Sequence, residues 1–196
     1  MSDFTWIILA AGSSTRLGQA KQLLRLGNQS LIQHQIQTLL ATKLPVCVVT
    51  GATDVSTELP IHPMLSVIHN PLWQKGLGTS VTLAQHIHPN KHIGWVLVDQ
   101  YGITTAQALA FYHHWQDCSS EVLVSRYGKS LDTQWGVPVI TTANLMVRAI
   151  EPKHGLKPWL LANQHQITLH FYAWPQAQLD IDTPEQWQRI QQLKHW

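Results

Sequence analysis

The stretch that decides the fold lies at residues 5–21 and reads TWIILAAGSSTRLGQAK. Its first part, residues 5–10, is a short apolar run that stops at Gly12, a pattern typical of a buried strand entering a loop. The loop then combines small residues with two long cations, Arg16 and Lys21. Small residues let backbone N–H groups approach an anion closely, and the cations neutralise phosphate charge. Composition alone fits a phosphate-binding loop and an ordinary Gly/Ser turn with two solvated cations equally well.

Predicted strands and helices alternate along the rest of the chain. Apolar runs predict further strands at residues 46–50, 66–69, 95–98, 121–125, 137–140 and 168–172. Amphipathic patterns predict a helix capped by Ser30 and helices at residues 79–88, 105–115 and 184–193. This alternation predicts one α/β domain over residues 1–196, with a mostly parallel sheet covered on both faces. Ligands of such sheets bind at the carboxyl ends of the strands.

The composition excludes several classes of partner. Only 12% of the 196 residues are charged, about half the usual fraction, and no run approaches the roughly 18 apolar residues of a membrane span. The formal net charge of +2 lacks a clustered basic stripe, so we expect neither a nucleic acid nor a membrane partner. Cys47 and Cys118 lie far apart and form no CxxC pair, which predicts a reduced, cytoplasmic protein.

Five segments resemble one known family. Residues 9–24, LAAGSSTRLGQAKQLL, are similar to the LAAGxSxRxGxxKxLL signature of MobA-like nucleotidyltransferases, in particular the MocA-type molybdenum cofactor cytidylyltransferases. Residues 70–80 (NPLWQKGLGTS), 97–100 (LVDQ), 136–139 (GVPV) and 179–185 (LDIDTPE) follow in the family's order. The resemblance implies a single-domain, three-layer, Rossmann-like nucleotide-diphospho-sugar transferase fold with a mostly parallel sheet.

The resemblance also implies the residues that bind a nucleoside triphosphate. The first loop would wrap the nucleotide, Arg16 and Lys21 would hold its triphosphate, and the segment from Gly76 to Ser80 would border the base. Arg16, Lys21 and Asp99 would be the catalytic residues. The full predicted nucleotide-binding set is Leu9, Ala10, Ala11, Gly12, Ser13, Arg16, Lys21, Gly76, Gly78 and Ser80.

Three aspartates are predicted to bind Mg²⁺. Asp99 directly follows the predicted strand 95–98, and a carboxylate at that edge suits magnesium, which prefers a few carboxylates together with phosphate oxygens and water. Asp180 and Asp182 are two residues apart in an extended stretch, so both project to the same side and either could complete the site. Asp182 could instead cap the helix that starts near Pro184, and both interpretations of Asp182 stay open.

The implied chemistry is transfer of a nucleoside monophosphate from an NTP to a phosphate acceptor, with release of pyrophosphate. LAAG at residues 9–12 resembles the cytidylyl branch, so CTP is preferred over GTP, and molybdopterin is the expected acceptor. A molybdoenzyme or another protein of the cofactor pathway is a possible partner.

Two segments depart from the family pattern. Tyr101 and Gly102 stand where proline is usual after the strand-end aspartate, and residues 153–158 (KHGLKP) lack the acidic residue and arginine of a GDxGAR-like segment. Both departures concern the acceptor. Two alternatives therefore stay open: a sugar phosphate or other phosphorylated metabolite as acceptor, or a non-catalytic nucleotide-binding protein that handles the cofactor.

Overall fold

A computed structural model describes residues 3–128, 134–145 and 150–192. Its strands are β1 (Phe4–Leu9), β2 (Arg25–Leu26), β3 (Gln29–Ser30), β4 (Val46–Thr50), β5 (Leu65–His69), β6 (His92–Leu97), β7 (Val122–Arg126), β8 (Trp135–Thr141) and β9 (Leu169–Ala173). Its α-helices are α1 (Leu31–Leu40), α2 (Leu77–Ile87), α3 (Thr105–Asp117), α4 (Leu156–Asn163) and α5 (Pro184–Gln192). None of the described helices is long and apolar enough to cross a membrane.

Seven strands form one sheet in the order β5-β4-β1-β6-β8-β7-β9, and β2 pairs with β3 in a small separate ladder. Every pairing in the large sheet is parallel except those of β8, which is antiparallel to both β6 and β7. The predicted mostly parallel sheet is therefore confirmed. The direction of β8 was not predicted, because an apolar run gives the position of a strand but not its direction.

Helices cover both faces of the sheet. Successive side chains of a strand point to opposite faces, and in β1 Trp6 and Ile8 pack with residues of α1 and α3, whereas Ile7 and Leu9 pack with residues of α2 and α4. All four side chains are at most 5% exposed. The strand is thus the centre of two hydrophobic cores, and the three-layer architecture is confirmed.

Most predicted helices are present with small differences at their ends. Ser30 caps α1 as predicted, and in the structure it does so through a reciprocal capping box with Gln33. The helix predicted at 79–88 starts earlier, at Leu77, and the one predicted at 184–193 is described as far as Gln192, since residue 193 lies outside the described residues. Helix α4 was not predicted; it carries Pro158 in its first turn, where proline is tolerated.

Gly94 provides the space that β1 needs for its largest side chain. It lies opposite Trp6 in the β1–β6 ladder, and Trp6 is fully buried with its ring edge-to-face against Phe4 at 5.1 Å between centroids. A Cβ atom at position 94 would lie 2.8 Å from Phe4 Cζ and closer still to the Trp6 ring. An added methyl group would therefore force the aromatic pair to move.

We expect Gly94→Ala to lower the free energy of unfolding by about 1–3 kcal/mol, the usual cost of overpacking a core. Urea denaturation followed by tryptophan fluorescence measures this change. Ser66→Ala, at an exposed position of edge strand β5, is the control and should change stability by less than about 0.5 kcal/mol. Equal, small effects of the two substitutions would contradict the overpacking argument.

Candidate functional site

A cleft of about 400 Å³ opens where β1 and β6 end at the carboxyl edge of the sheet. It is lined by the loop after β1, the end of β6 and the segment before α5, three parts of the chain that lie far apart in sequence. The predicted site residues that line it are Leu9, Ala10, Ala11, Gly12, Ser13, Arg16, Lys21, Asp99, Asp180 and Asp182. Gly76, Gly78 and Ser80 do not line this cleft, but Leu77 between them does.

In the loop after β1, the carbonyl groups of Ala10, Ala11 and Gly12 accept hydrogen bonds, whereas the amide groups of residues 11–16 remain without acceptors in the described part of the chain. Gln22 Nε2 donates to the carbonyl oxygens of Ala10 at 2.7 Å and Gly12 at 2.8 Å, and the Ala11 carbonyl accepts from the Ala52 amide at 3.0 Å. Among the described residues, the backbone amides of residues 11–16 donate no hydrogen bond. A run of open N–H groups beside cations is the arrangement that binds an anion.

Lys21 joins two carboxylates at the floor of the cleft. Its Nζ donates to Asp99 Oδ2 at 2.7 Å and to Asp182 Oδ1, and Arg16 Nη2 lies 3.0 Å from Asp182 Oδ2. Lys21 and Asp99 are 9% and 8% exposed, whereas the Arg16 side chain is mostly in solvent. Two predicted phosphate ligands thus lie against two predicted metal ligands.

The ion pairs set the pKa values of these groups. Burial lowers the pKa of Lys21, but Asp99 and Asp182 more than offset it, so the pKa lies above its ordinary value. Burial raises the pKa of Asp182, but Lys21 and Arg16 outweigh burial and leave it below its ordinary value. Lys21 and Asp182 are therefore both charged at neutral pH.

Asp180 carries negative charge that its neighbours do not compensate. Burial, followed by the charges of Asp99 and Asp182, raises its pKa from 3.8 to about 6. Asp99 Oδ1 is buried and has no hydrogen-bond partner among the described residues. A carboxylate with a raised pKa and an unpartnered buried carboxylate oxygen both fit a site that lacks a cation.

The described residues contain no group of three or more acidic, histidine or cysteine side chains arranged to hold a metal ion by themselves. The site therefore suits a cation whose remaining ligands come from the substrate or from water. Magnesium does so, since it binds through one or two carboxylates plus phosphate oxygens and water. Asp99 and Asp180 are the carboxylates that meet this description.

Thr183, and not Asp182, caps helix α5. Thr183 Oγ1 accepts from the Gln186 amide, and Gln186 Oε1 accepts from the amides of Asp182 and Thr183. This reciprocal pattern is that of a capping box. The Asp182 carboxylate is left for Lys21 and Arg16.

Gly76, Gly78 and Ser80 support a neighbouring segment instead of lining the cleft. A Cβ atom at Gly76 or Gly78 would collide with the carbonyl oxygens of Pro152 and Glu151 respectively, and the Gly78 amide donates to Pro152 at 2.9 Å. Ser80 is buried and its hydroxyl accepts from Asn70 Nδ2 at 2.9 Å. These contacts place the start of α2, and with it Leu77, at the cleft.

Two buried glutamines that the sequence analysis missed hold the segment bearing Asp99. Gln100 Nε2 donates to the carbonyls of Val137 and Ala177, and its Oε1 accepts from the Leu97 amide. Gln35 Nε2 donates to the carbonyls of Leu97 and Gln100. Their sequence offers no signal beyond the abundance of glutamine, because the pattern around each is that of an ordinary helix or loop.

Gly102 and Lys157, one residue from each segment that departs from the family pattern, make specific contacts in the structure. A Cβ atom at Gly102 would collide with the Gln176 carbonyl oxygen, so this glycine lets the loop after β6 pack closely. Lys157 lies against Trp135, donating to its carbonyl at 2.8 Å with Nζ 4.7 Å from the ring centroid. Trp135 and Lys157 line a second, apolar cavity of about 280 Å³ that shares Leu9 with the cleft.

We expect Asp180→Asn to stabilise the protein at pH 8 in EDTA by about 1–2 kcal/mol, which allows for solvent screening of a half-buried group. A raised pKa means that the charged form costs stability, and this cost develops as the pH rises from about 4 to about 6. The gain should therefore vanish near pH 4. Urea denaturation at both pH values measures it.

Asp182→Asn is the matched control and should have the opposite sign at pH 8. It removes the carboxylate that Lys21 and Arg16 share and leaves buried Lys21 with Asp99 as its remaining ion-pair partner, and loss of a charged partner from a buried ion pair destabilises. A loss of stability from Asp180→Asn at pH 8 would contradict the charge assignment.

Comparisons with known proteins agree with this architecture. A nucleotidyl transferase from Methanothermobacter has the same fold, with a TM-score of 0.79 and 21% identity over 97% of this chain and 96% of its own. A molybdenum cofactor guanylyltransferase from Vibrio cholerae is 36% identical over 66 residues, 33% of this chain and 32% of its own length. A molybdenum cofactor cytidylyltransferase from Escherichia coli is 33% identical over 86 residues, 43% of this chain and 45% of its own.

The matched segments thus span a third to under a half of these two relatives. The family model of the MobA-like NTP transferase domain, by contrast, matches residues 6–167. This match covers both the loop after β1 and Asp99. The chain therefore belongs to the MobA-like NTP transferase family.

Proposed function

We propose that this protein transfers a nucleoside monophosphate from an NTP, preferably CTP, to the phosphate of a molybdopterin-type acceptor in the cytoplasm, using Mg²⁺ and releasing pyrophosphate. The observation that carries the proposal is the cleft, which is lined by the loop of residues 11–16, whose amides donate no hydrogen bond among the described residues, by the cations Arg16 and Lys21, and by the carboxylates of Asp99 and Asp180. Family membership supports the type of reaction. The names of the two relatives support the acceptor.

The chemistry needs no strong general base. An oxygen of the acceptor phosphate, already anionic at neutral pH, forms a bond to the α-phosphorus, and the bond from that phosphorus to the pyrophosphate group breaks. Arg16, Lys21 and the amides of residues 11–16 bind and orient the triphosphate and neutralise charge on the departing pyrophosphate. Asp99 and Asp180 would hold Mg²⁺, which when bound neutralises phosphate oxygens.

A bound nucleotide and metal ion would replace the internal ion pairs of the site. In the structure Lys21 and Arg16 are bound to Asp99 and Asp182. A triphosphate offers both cations new partners, and a metal ion offers the carboxylates a replacement for them. Nucleotide and metal are therefore expected to bind more tightly together than either does alone.

The preference for CTP comes from the LAAG sequence at residues 9–12. The two relatives differ in their base, one being a guanylyltransferase and the other a cytidylyltransferase. Calorimetric titration with each nucleotide decides between them. Tight binding of GTP without binding of CTP would reverse the preference.

A second candidate function keeps the nucleotide and changes the acceptor to a sugar phosphate or another phosphorylated metabolite. It is favoured by the altered segments at Tyr101–Gly102 and at residues 153–158, both on the acceptor side. A non-catalytic nucleotide-binding protein is the remaining alternative. It predicts nucleotide binding without pyrophosphate release for any acceptor.

Incubation with labelled CTP or GTP, Mg²⁺ and molybdenum cofactor should release pyrophosphate. A panel of phosphorylated sugars and metabolites, tested in parallel, identifies the second candidate function. A characterised molybdenum cofactor cytidylyltransferase serves as the positive control. Absence of release with every acceptor, while the control enzyme is active, would contradict the proposal.

We expect Asp99→Asn to lower the turnover number at least about 100-fold, because the variant loses a carboxylate that holds the metal ion. Glu185→Gln, which removes an exposed carboxylate from the start of α5, is the matched control and should keep full activity. Steady-state pyrophosphate release with saturating nucleotide measures both. Similar turnover in the two variants would contradict the role of Asp99.

A further inference from the structure

We propose that Gln22 is a positioning residue that keeps two backbone carbonyls of the nucleotide loop away from the triphosphate and thereby sets nucleotide affinity. The inference rests on the proposed function, since it assigns the loop to a triphosphate. Gln22 follows Lys21 in a single turn of 3₁₀-helix, Lys21–Leu23. It makes no charge contribution of its own, and its effect is exerted through the loop.

The hydrogen bonds of Gln22 are directed entirely at the loop. Its side-chain amide uses both hydrogens, one for the carbonyl of Ala10 at 2.7 Å and one for that of Gly12 at 2.8 Å. Both partners are acceptors, so they require the NH₂ end of the amide to face them. Gln22 is 1% exposed, and its Oε1 is buried without a partner among the described residues.

An unpartnered buried acceptor is costly. The hydrogen bonds of the Gln22 side chain are therefore incomplete, and its own stability does not explain why glutamine occupies this position. A methionine or leucine would fill similar space without burying that oxygen. What only the amide supplies is a pair of donors for alternate carbonyls of one loop. The position therefore serves the conformation of the loop more than the packing of the core.

The consequence for an anion follows from the polarity of the peptide group. Carbonyl oxygens carry partial negative charge and N–H groups partial positive charge. With the carbonyls of Ala10, Ala11 and Gly12 bound by Gln22 and Ala52, the loop retains open amides from residue 11 to residue 16. Without Gln22, two carbonyls are free to rotate into the cleft, where they would repel phosphate.

Gln35 provides a matched comparison within the same chain. It too is fully buried, donates Nε2 to two carbonyls, and leaves Oε1 buried without a partner in the described part of the chain. Its two carbonyls, however, belong to Leu97 and Gln100 beside Asp99. Removal of the Gln22 amide or of the Gln35 amide therefore removes two hydrogen bonds to backbone carbonyls in each case. The carbonyls belong to different segments of the chain.

The test compares Gln22→Met with Gln35→Met. Calorimetric titration with CTP, GTP and inorganic pyrophosphate in EDTA measures affinity, and thermal unfolding measures stability. Gln22→Met should bind the preferred nucleotide at least tenfold more weakly, with a similar loss for pyrophosphate because the loop contacts phosphate. Gln35→Met should lose comparable stability and also turnover, but its affinity in EDTA should stay within about twofold of the wild type.

Gln22→Leu covers the case in which Gln22→Met does not fold, since leucine also fills similar space, carries no charge and lacks the two donors. The same loss of affinity is expected. Wild-type affinity in a folded Gln22 variant, or an equal loss in Gln35→Met, would overturn the inference. A wild-type protein that binds neither nucleotide nor pyrophosphate, in EDTA or with Mg²⁺, would instead contradict the proposed function, so the two failures are distinguishable.

Discussion

The ammonium group of Lys21 holds the cleft together. It bonds to Asp99, 78 residues away in sequence, and to Asp182, 161 residues away, so one side chain ties the first loop to the end of β6 and to the segment before α5. Loss of one partner from a buried ion pair typically costs several kcal/mol. In the free protein the same contacts pair the charges of Lys21 and Arg16 with those of Asp99 and Asp182, the pairs that the proposed triphosphate and metal ion would replace.

Three buried glutamines also hold loops of the protein in place through hydrogen bonds. Gln22, Gln35 and Gln100 each donate to two backbone carbonyls near the cleft. A neutral amide can do this without the desolvation cost of a buried charge. Five charged side chains line the cleft where phosphate and metal are proposed to bind, and neutral amides shape the loops around them.

The sequence predicted the parts of the molecule that local patterns encode. The apolar run of β1, the N-cap at Ser30 and the strand-end position of Asp99 each depend on a few neighbouring residues, and each was predicted correctly. The direction of β8 and the hydrogen bonds of Gln22 depend on residues that are distant in sequence, so no local pattern could show them. Asp182 shows the limit of local patterns. Its sequence neighbours suit a helix cap and a metal ligand equally well, and only the structure shows that Thr183 provides the cap.

The reversed direction of β8 has a consequence for how the two halves of the site are built. Parallel strands β1 and β6 bring their carboxyl ends to the cleft, whereas β8 brings its amino end, with Trp135, to the adjoining apolar cavity. The cleft is thus lined by residues that follow β1 and β6, whereas the entrance of β8 contributes Trp135 to the neighbouring cavity. Substitutions at the entrance of β8 can therefore reshape that cavity from a segment that is separate from the loop after β1.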